Sequence, residues 1–392
     1  MSVLEVPRLT SWPPAPAHWR KVPFAEIAII QSDNGKRVPQ SLYQSEGPLP
    51  IVDQGEGLVG GFTDDQSLRA PTPSVIFGDH TRRVKIVDFE FAVGAQGVKL
   101  IRPTPAVRGW YLAYLLAGCP LPDKGYARHF QYLRGSSFPL PPLEEQDLLV
   151  DEIEKQFTRL HEAEVLLRRC RANIERYKSR LMVAGVHSDA PRVRVGDLLE
   201  HLTSGSRGWA KYYSNEGALF LRIGNLDHQT VAIDLAKRQH VTPPLGSESA
   251  RTRVQPGDVL ISITAELGMV GVVPEEMGEA YINQHLALLR FKPAVVPRYA
   301  GWYVAGPGRH RLVSMRRGAT KVGLGLDDIR AIEIPLPGVD QQEEMVSSLE
   351  AQVSLVDAVC REVEGGIAHT VLLRQSVLNR AFSNKSFGQR TV

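Results

Sequence analysis

With 392 residues, 43% hydrophobic and 23% charged, the chain is long enough for two or three globular domains and has the composition of an ordinary soluble protein. Its 46 basic and 43 acidic residues leave a net charge of +3, too small to identify a partner. No window reaches the ~18 consecutive apolar residues of a membrane span, and the opening MSVLEVPRLTSWPPAPAHW, with no basic stretch followed by an apolar run, is not expected to be a secretory signal. Three scattered cysteines without a CxxC pair exclude a disulfide or zinc framework, so a reducing, cytoplasmic setting is expected.

In chain order, short β-rich runs separated by Gly, Pro, Asn and Asp come first: LPIV (49–52), PSVIFG (73–78) and KLIRP (99–103). A short helix is expected from Trp110 to Ala117. Phe138-Pro139-Leu140-Pro141 then opens a long helical pattern in which Val150, Ile153, Phe157, Leu160, Ala163, Leu167, Cys170, Ile174, Tyr177 and Leu181 recur at spacings of three and four. Gly185 and Pro191 end it. The order then repeats. ALFLRIGN (218–225), GDVLISIT (257–264) and LALLRFKP (286–293) read as strands, and Gly301 to Ala305 as a short helix. Ile334-Pro335-Leu336-Pro337 opens a second long helix with Val346, Leu349, Val353, Val356, Cys360, Val363 and Ile367 along one seam, its start marked by Asp340 and Glu343 as a variant capping box.

The two Pro-Leu-Pro segments are offset by 196 residues, half the chain. Tyr111-Leu-Ala-Tyr-Leu-Leu-Ala-Gly118 is echoed by Tyr299-Ala-Gly-Trp-Tyr-Val-Ala-Gly306, and Leu49-Pro50-Ile51-Val52 by Leu219-Phe220-Leu221-Arg222. Three echoes in the same order are a duplication. Each long pattern persists for roughly 40 residues, ~60 Å at 1.5 Å per residue, more than one domain needs. The expected fold is therefore α+β, with two mixed α/β domains separated by two long helices that pair as an antiparallel coiled coil and bury Cys170 and Cys360. Gly365 and Gly366 fall outside the apolar seam positions and loosen the second helix at about 1 kcal/mol each.

This arrangement resembles the specificity subunit of Type I restriction–modification systems. The resemblance covers nearly the whole chain and is carried by PAHW (16–19), FPLPPLEEQ (138–146), GDVLISITAELGMVGVV (257–273), YINQHLALLRF (281–291), IPLPGVDQQEEMV (334–346) and LLRQSVLNRAF (372–382). It implies a target recognition domain over 1–138, a central spacer helix over 139–187, a second recognition domain over 188–334, and a C-terminal spacer helix with a short tail over 335–392. It further implies that each domain reads one half of a split double-stranded DNA target. The helices would set the distance and dock two methyltransferase subunits, with restriction/translocase subunits as further partners and no membrane. The first half departs from the second in having no clear counterpart of Thr203-Ser204-Gly205-Ser206-Arg207.

Catalytic motifs are not found, and neither cofactor nor metal is expected. Gly55-x-Gly57-x-x-Gly60 matches a dinucleotide fingerprint, but turn residues follow it where a helix should start. There is no P-loop and no Asn/Asp-Pro-Pro-aromatic segment. Asp258 and Glu266 lack the lysine a nuclease would need, and the eleven histidines lack metal-like spacing. Methylation and cleavage would come from partners. A stand-alone DNA-binding regulator and an interaction scaffold are the rival readings, and a free-standing reader has no need for such long helices.

Base edges are read by Arg or Lys, by Asn or Gln, and by Ser or Thr, while phosphates are met by cations and by loop N–H groups. By these criteria the candidate DNA contacts in the first domain are Lys36, Arg37, Gln54, His80, Arg82, Arg83 and Arg128. In the second they are Ser204, Ser206, Arg207, Asn225, Thr264, Asn283, Gln284 and Lys321. Arg82, Arg83 and Lys85, and the stretch from Arg309 to Arg317, form local basic clusters; any one alone reads as solvated surface, and several in matching places would be a nucleic-acid footprint.

Overall fold

The structure, a computed structural model, describes residues 2–4, 6–32, 35–94, 97–125, 127–314 and 323–383. The chain divides into two compact units, residues 1–168 with 363–392 and residues 169–362. Each unit therefore owns part of each long helix.

In the first unit the main sheet runs in the order Ser2–Val3, Val84–Val87, Ser74–Gly78, Val98–Pro103, Ala28–Gln31, all antiparallel. A second sheet places Leu49–Val52 between Gly61–Thr63, antiparallel, and Ala92–Val93, parallel. In the second unit a four-stranded antiparallel sheet runs Leu199–Ser204, Leu286–Phe291, Val259–Ser262, Val270–Val272. There Ala218–Leu221 takes the place of Leu49–Val52 and pairs in parallel with Ala280–Ile282. The duplication read from the sequence is thus a duplication of strand order. The first unit adds one N-terminal edge strand to the shared pattern.

The long helices span Leu143–Ala184 and Val339–Ala381. Each follows a short strand that carries the Pro-Leu-Pro turn. Ser137–Leu140 pairs with Arg20–Pro23, and Glu333–Pro335 pairs with Arg192–Arg194. One glutamine anchors each helix to its domain. Gln146 donates to the carbonyls of Pro141 at 2.9 Å and Ala106 at 3.0 Å and accepts from the Arg108 amide at 2.8 Å. Gln342 does the same with Pro337 at 2.8 Å, Ala294 at 3.0 Å and the Val296 amide at 2.8 Å. Both glutamines are fully buried, so every one of these bonds replaces water that the amide could not otherwise keep. Tyr111 and Tyr299 complete the match by donating to the carbonyls of Pro139 and Pro335.

The short helices Gly109–Gly118 and Pro297–Ala305 end beside a long helix at equivalent glycines. A Cβ on Gly118 would lie 3.1 Å from Leu378, and one on Gly306 would lie 2.7 Å from the Met182 carbonyl. Only a glycine permits the second approach. The long helices enter each core: Val150, Ile153, Leu378 and Ala381 in the first unit, and Met182, Val346, Leu349 and Val353 in the second.

Within each unit the helices run antiparallel. In the first, Glu164 meets Arg374 at 2.9 Å, while a Cβ on Gly366 would meet Leu167 at 3.3 Å. In the second, Lys178 meets Asp357 at 2.5 Å, while Leu349 packs on Gly185. The second helix has the expected seam, but the first departs from it. Cys170 is exposed and Cys360 only half-buried, Ala163 is exposed, and Tyr177 is 56% exposed. The inward neighbours are Glu164, half-buried, and Lys178, buried. Ion pairs across the seam allow these polar side chains to occupy positions that an apolar count assigns one residue earlier. Gly366 is likewise a packing position and not an outlier, because its missing Cβ makes room for Leu167.

Candidate nucleic-acid interface

In the first unit the tight turn 78–83 joins two strands of the main sheet, and Arg82 bends it with a φ of +60°, unusual for a residue with a Cβ. The His80 amide donates to Gln54 Oε1 at 3.2 Å. Gly97, at φ +89°, lies beneath both: a Cβ there would come within 2.7 Å of Gln54 Nε2 and 3.0 Å of His80 Cδ2. Next to it, Arg37 donates to the Val98 carbonyl at 2.9 Å. His129 joins through its amide, which donates to the Asp79 carbonyl at 2.9 Å, and Arg128 before it is exposed. Arg37, Gln54, His80 and Arg128 thus converge on one end of the sheet. Arg82 pairs with Asp123 at 3.2 Å and Arg83 with Glu56 at 2.7 Å, while Lys36 is exposed and donates to the Ser67 carbonyl at 2.9 Å.

Lys85 does not belong to that basic surface. Its side chain is 1% exposed, donates to the Gly57 carbonyl at 2.5 Å and stands 3.7 Å from Asp53. Strand alternation turns it inward, and burial pushes its ammonium pKa down, with Asp53 acting against that shift. The 55–60 glycines close an antiparallel hairpin in which Asp53 accepts from the Gly55 amide at 2.8 Å. The helix a dinucleotide site would require does not start there.

In the second unit the strand Leu199–Ser204 runs out beside the turn 283–285. Gly205 donates to the Leu286 carbonyl at 3.1 Å, and Ser206 bridges Asn283. Asn283 Oδ1 accepts from the His285 amide at 3.1 Å. The His285 ring links Thr264 Oγ1 at 2.6 Å to Gln284 Nε2 at 2.9 Å. Since the Gln284 amide nitrogen can only donate, Nε2 of the ring accepts and Nδ1 carries the proton toward Thr264. Ser204, Ser206, Thr264, Asn283 and Gln284 are therefore brought together, with exposed Arg207 just beyond.

Arg251 joins the same group. It donates to the Thr203 hydroxyl, to the Ser204 carbonyl at 2.6 Å and to Ser206 Oγ at 3.0 Å. Only tertiary structure shows this, because Arg251 lies in a short helix, Ser247–Thr252, distant in sequence. Beneath, Glu248 is held below the usual carboxylate range by the Ser206 hydroxyl and then by Trp209. Trp209 itself stacks on Phe220 with centroids 5.4 Å apart.

Asn225 is buried, and its bonds stay in its own loop: it accepts from the Arg222 amide and donates to the carbonyls of Asp234 at 2.7 Å and Lys237 at 3.2 Å. Lys321 lies outside the described residues. Asp258 is fully buried and receives two 2.8 Å bonds from Arg290, so it braces the sheet. Among the described residues no group of three or more His, Cys, Asp or Glu could hold a metal ion. No helix among them is long and apolar enough to cross a membrane.

The comparisons with known proteins point to one family. No protein-family model matches the chain. The Type I restriction enzyme EcoBI specificity subunit of Escherichia coli is 20% identical over 288 residues, 66% of this chain and 60% of that protein. The putative type I restriction enzyme MjaX specificity subunit of Methanocaldococcus jannaschii is 23% identical over 73% of this chain and 72% of its own length. The resemblance is to Type I specificity subunits. The alignment spans less than two thirds of the EcoBI subunit's length. Among solved structures, a chain from work on the complex assembly and conformational transition of the type I R-M system superposes with a TM-score of 0.71 at 19% identity, covering 95% of this chain and 99% of its own. The HsdS subunit from Thermoanaerobacter tengcongensis gives 0.52, also at 19% identity, over 95% and 98%. The fold described above is therefore that of the Type I specificity subunits.

Proposed function

We propose that the chain is the non-catalytic specificity subunit of a Type I restriction–modification complex, reading a bipartite double-stranded DNA target. In this reading residues 1–138 and 188–334 are the two target recognition domains. The paired helices set the distance between half-sites and carry two methyltransferase subunits, to which restriction/translocase subunits add. The observation that carries the proposal is the duplicated anchor of Gln146 and Gln342. The same buried amide fixes each long helix to an equivalent domain, as a device that reads two half-sites at a set spacing requires.

Two further features support it. The helices leave large apolar side chains in solvent, among them Leu148 at 69%, Leu166 at 64%, Leu355 at 67% and Leu372 at 58% exposed. A stand-alone DNA-binding regulator leaves these without a partner, whereas docked subunits would cover them. The polar groups gathered around Gly97 and around His285 are those that can contact base edges and phosphates. Arg37, Gln54, His80 and Arg128 would read one half-site, and Ser204, Ser206, Thr264, Asn283 and Gln284 the other, with exposed Arg207 on a phosphate beside it. Lys36, Arg82 and Arg83 would meet phosphates, and Asn225 would hold its loop in place. Lys321 stays with this set as a candidate from sequence alone.

Co-purification of the full chain with methyltransferase subunits, followed by mapping of methylated bases, tests the proposal. Methylation at a split sequence that depends on this chain is expected. Failure to bind any methyltransferase subunit, or methylation by the chain alone, would overturn it.

A further inference from the structure

A cavity of about 540 Å³ in the first unit is lined by five arginines: Arg8, Arg82, Arg83, Arg168 and Arg374, with Glu164 among them. Among the described residues, the carboxylates bonded to these arginines are three. Glu164 is shared by Arg168 at 2.7 Å and Arg374 at 2.9 Å, Asp123 pairs with Arg82 at 3.2 Å, and Glu56 pairs with Arg83 at 2.7 Å. Among the described residues the cavity therefore holds two more cations than carboxylates bonded to them.

Arg8 concentrates that excess. Its guanidinium donates to the carbonyls of Leu116 at 2.9 Å, Cys119 at 3.0 Å and Arg82, and lies 5.8 Å from the centre of the Phe77 ring. Among the described residues no carboxylate pairs with it. Burial lowers its pKa to about 10, and the neighbouring charge of Arg82 pushes the same way, so the guanidinium stays charged at neutral pH in a place that does not favour charge. The left-handed backbone of Arg82 (φ +60°) belongs to the turn whose carbonyl receives Arg8.

We propose that this cavity is a binding site for a phosphate-class oxyanion, contacted by Arg8 together with the Arg83 and Arg168 guanidiniums. A guanidinium presents paired N–H donors that match phosphate oxygens, and a dianion would balance the surplus of two. The two sources of that chemistry are the phosphate tail of a free nucleotide and a phosphate of a DNA backbone. The inference rests on the cavity alone and stands whether or not the chain is a specificity subunit.

The test is calorimetric titration of the full chain with pyrophosphate at low salt, for wild type, Arg83→Gln, Arg168→Gln and Arg8→Lys. Saturable one-to-one binding by the wild type is expected, with about a tenfold loss in each glutamine variant. Arg83 and Arg168 are partly exposed, at 36% and 63%, so these two variants keep the fold even if Arg8→Lys does not. Absence of saturable binding by the wild type, or unchanged affinity in both glutamine variants, would overturn the site. A second titration on chain preloaded with a short random-sequence duplex separates the sources. Loss of pyrophosphate binding assigns the site to backbone phosphate, and retention assigns it to a free phosphate ligand.

Discussion

Glu164 Oε2 accepts from the Arg374 guanidinium at 2.9 Å between the two long helices, with the side chains 14% and 11% exposed. Arg168, one turn on, adds a 2.7 Å bond to the other oxygen. The carboxylate thus lies in the seam between two cations, at a position that an apolar repeat would give to leucine. Charge-assisted bonds of this kind contribute ~1.5–3 kcal/mol. The Arg168 bond, then Arg374, holds the carboxyl below the ordinary glutamate range.

A depressed carboxyl stabilises the fold above the unfolded value and loses that contribution as pH falls through the folded one. Thermal unfolding of the wild type should therefore show a loss of stability below about pH 4.3, the ordinary glutamate value. Glu164→Gln should be less stable at neutral pH and flatter through that acidic window. Identical pH profiles for the two proteins would show that the pair contributes nothing to stability.

Lys178 and Asp357 form the corresponding pair in the second unit, at 2.5 Å, with side chains 10% and 37% exposed. Removing one partner of a buried pair is worse than removing both, because the survivor is left charged and unpaired. Asp357→Leu, which strands the buried Lys178 ammonium, should destabilise by about 3 kcal/mol, and the double change Lys178→Leu with Asp357→Leu should recover most of it. Denaturant unfolding of the four proteins in that cycle measures the coupling; additive losses would mean that the two side chains act independently.

These pairs also explain where the sequence was legible. The strands at 74–78, 98–103 and 286–291, the paired helices and the duplication all follow from hydrophobic periodicity and turn residues. The second helix seam followed too, because Val346, Leu349 and Val353 are buried and Val356, Cys360 and Val363 half-buried, with Asp357 beside them. The first did not, since Glu164 and Lys178 occupy seam positions and nothing local distinguishes a seam ion pair from a solvated charge. The count moved to Ala163, Cys170 and Tyr177, which point outward. Lys85 was misplaced for the same reason, its partners being the Gly57 carbonyl and Asp53 on another hairpin. Arg251 is not legible in the sequence because its three acceptors lie 45 to 48 residues away.

The glutamine anchors predict a paired effect. Gln146→Ala or Gln342→Ala leaves a buried amide hydrogen and two carbonyls unsatisfied, at ~1–3 kcal/mol for each such group. Hydrogen exchange should accelerate at the Arg108 amide in the first variant and at the Val296 amide in the second, each leaving the other unit protected. If either change altered both units equally, the anchors would not be local.

In the second unit, Arg207→Ala and Arg251→Ala should weaken DNA binding in different ways. A lost base contact costs ~1–3 kcal/mol at one position, whereas a lost phosphate contact lowers the salt slope by about one. Arg207, exposed past the edge of the strand, should change the salt slope. Arg251, which orients Ser204 and Ser206, should change sequence preference with little effect on slope. Binding measured against salt for both variants decides, and no change in either would remove this turn from the interface.

If the helices are a spacer, their length sets the distance between half-sites. Because they are paired, lengthening one alone would leave its partner short, so the insertion has to be made on both. Leu167 and Gly366 face each other within the first unit and mark matched positions. Seven residues inserted after Leu167 and seven before Gly366 preserve the heptad phase, so the seam on either side keeps its facing residues. Each helix grows by ~10 Å at 1.5 Å per residue, and one base pair spans about 3.4 Å of duplex. The unread stretch between half-sites should lengthen by up to about three base pairs while both half-sequences stay the same. A four-residue insertion on both helices keeps the turn but breaks the heptad, and should lose stability before it shifts the spacing. Methylation mapping of the two variants in complex with methyltransferase subunits reads the spacing directly. Full activity at the original spacing in the heptad variant would mean that the paired helices do not set the distance.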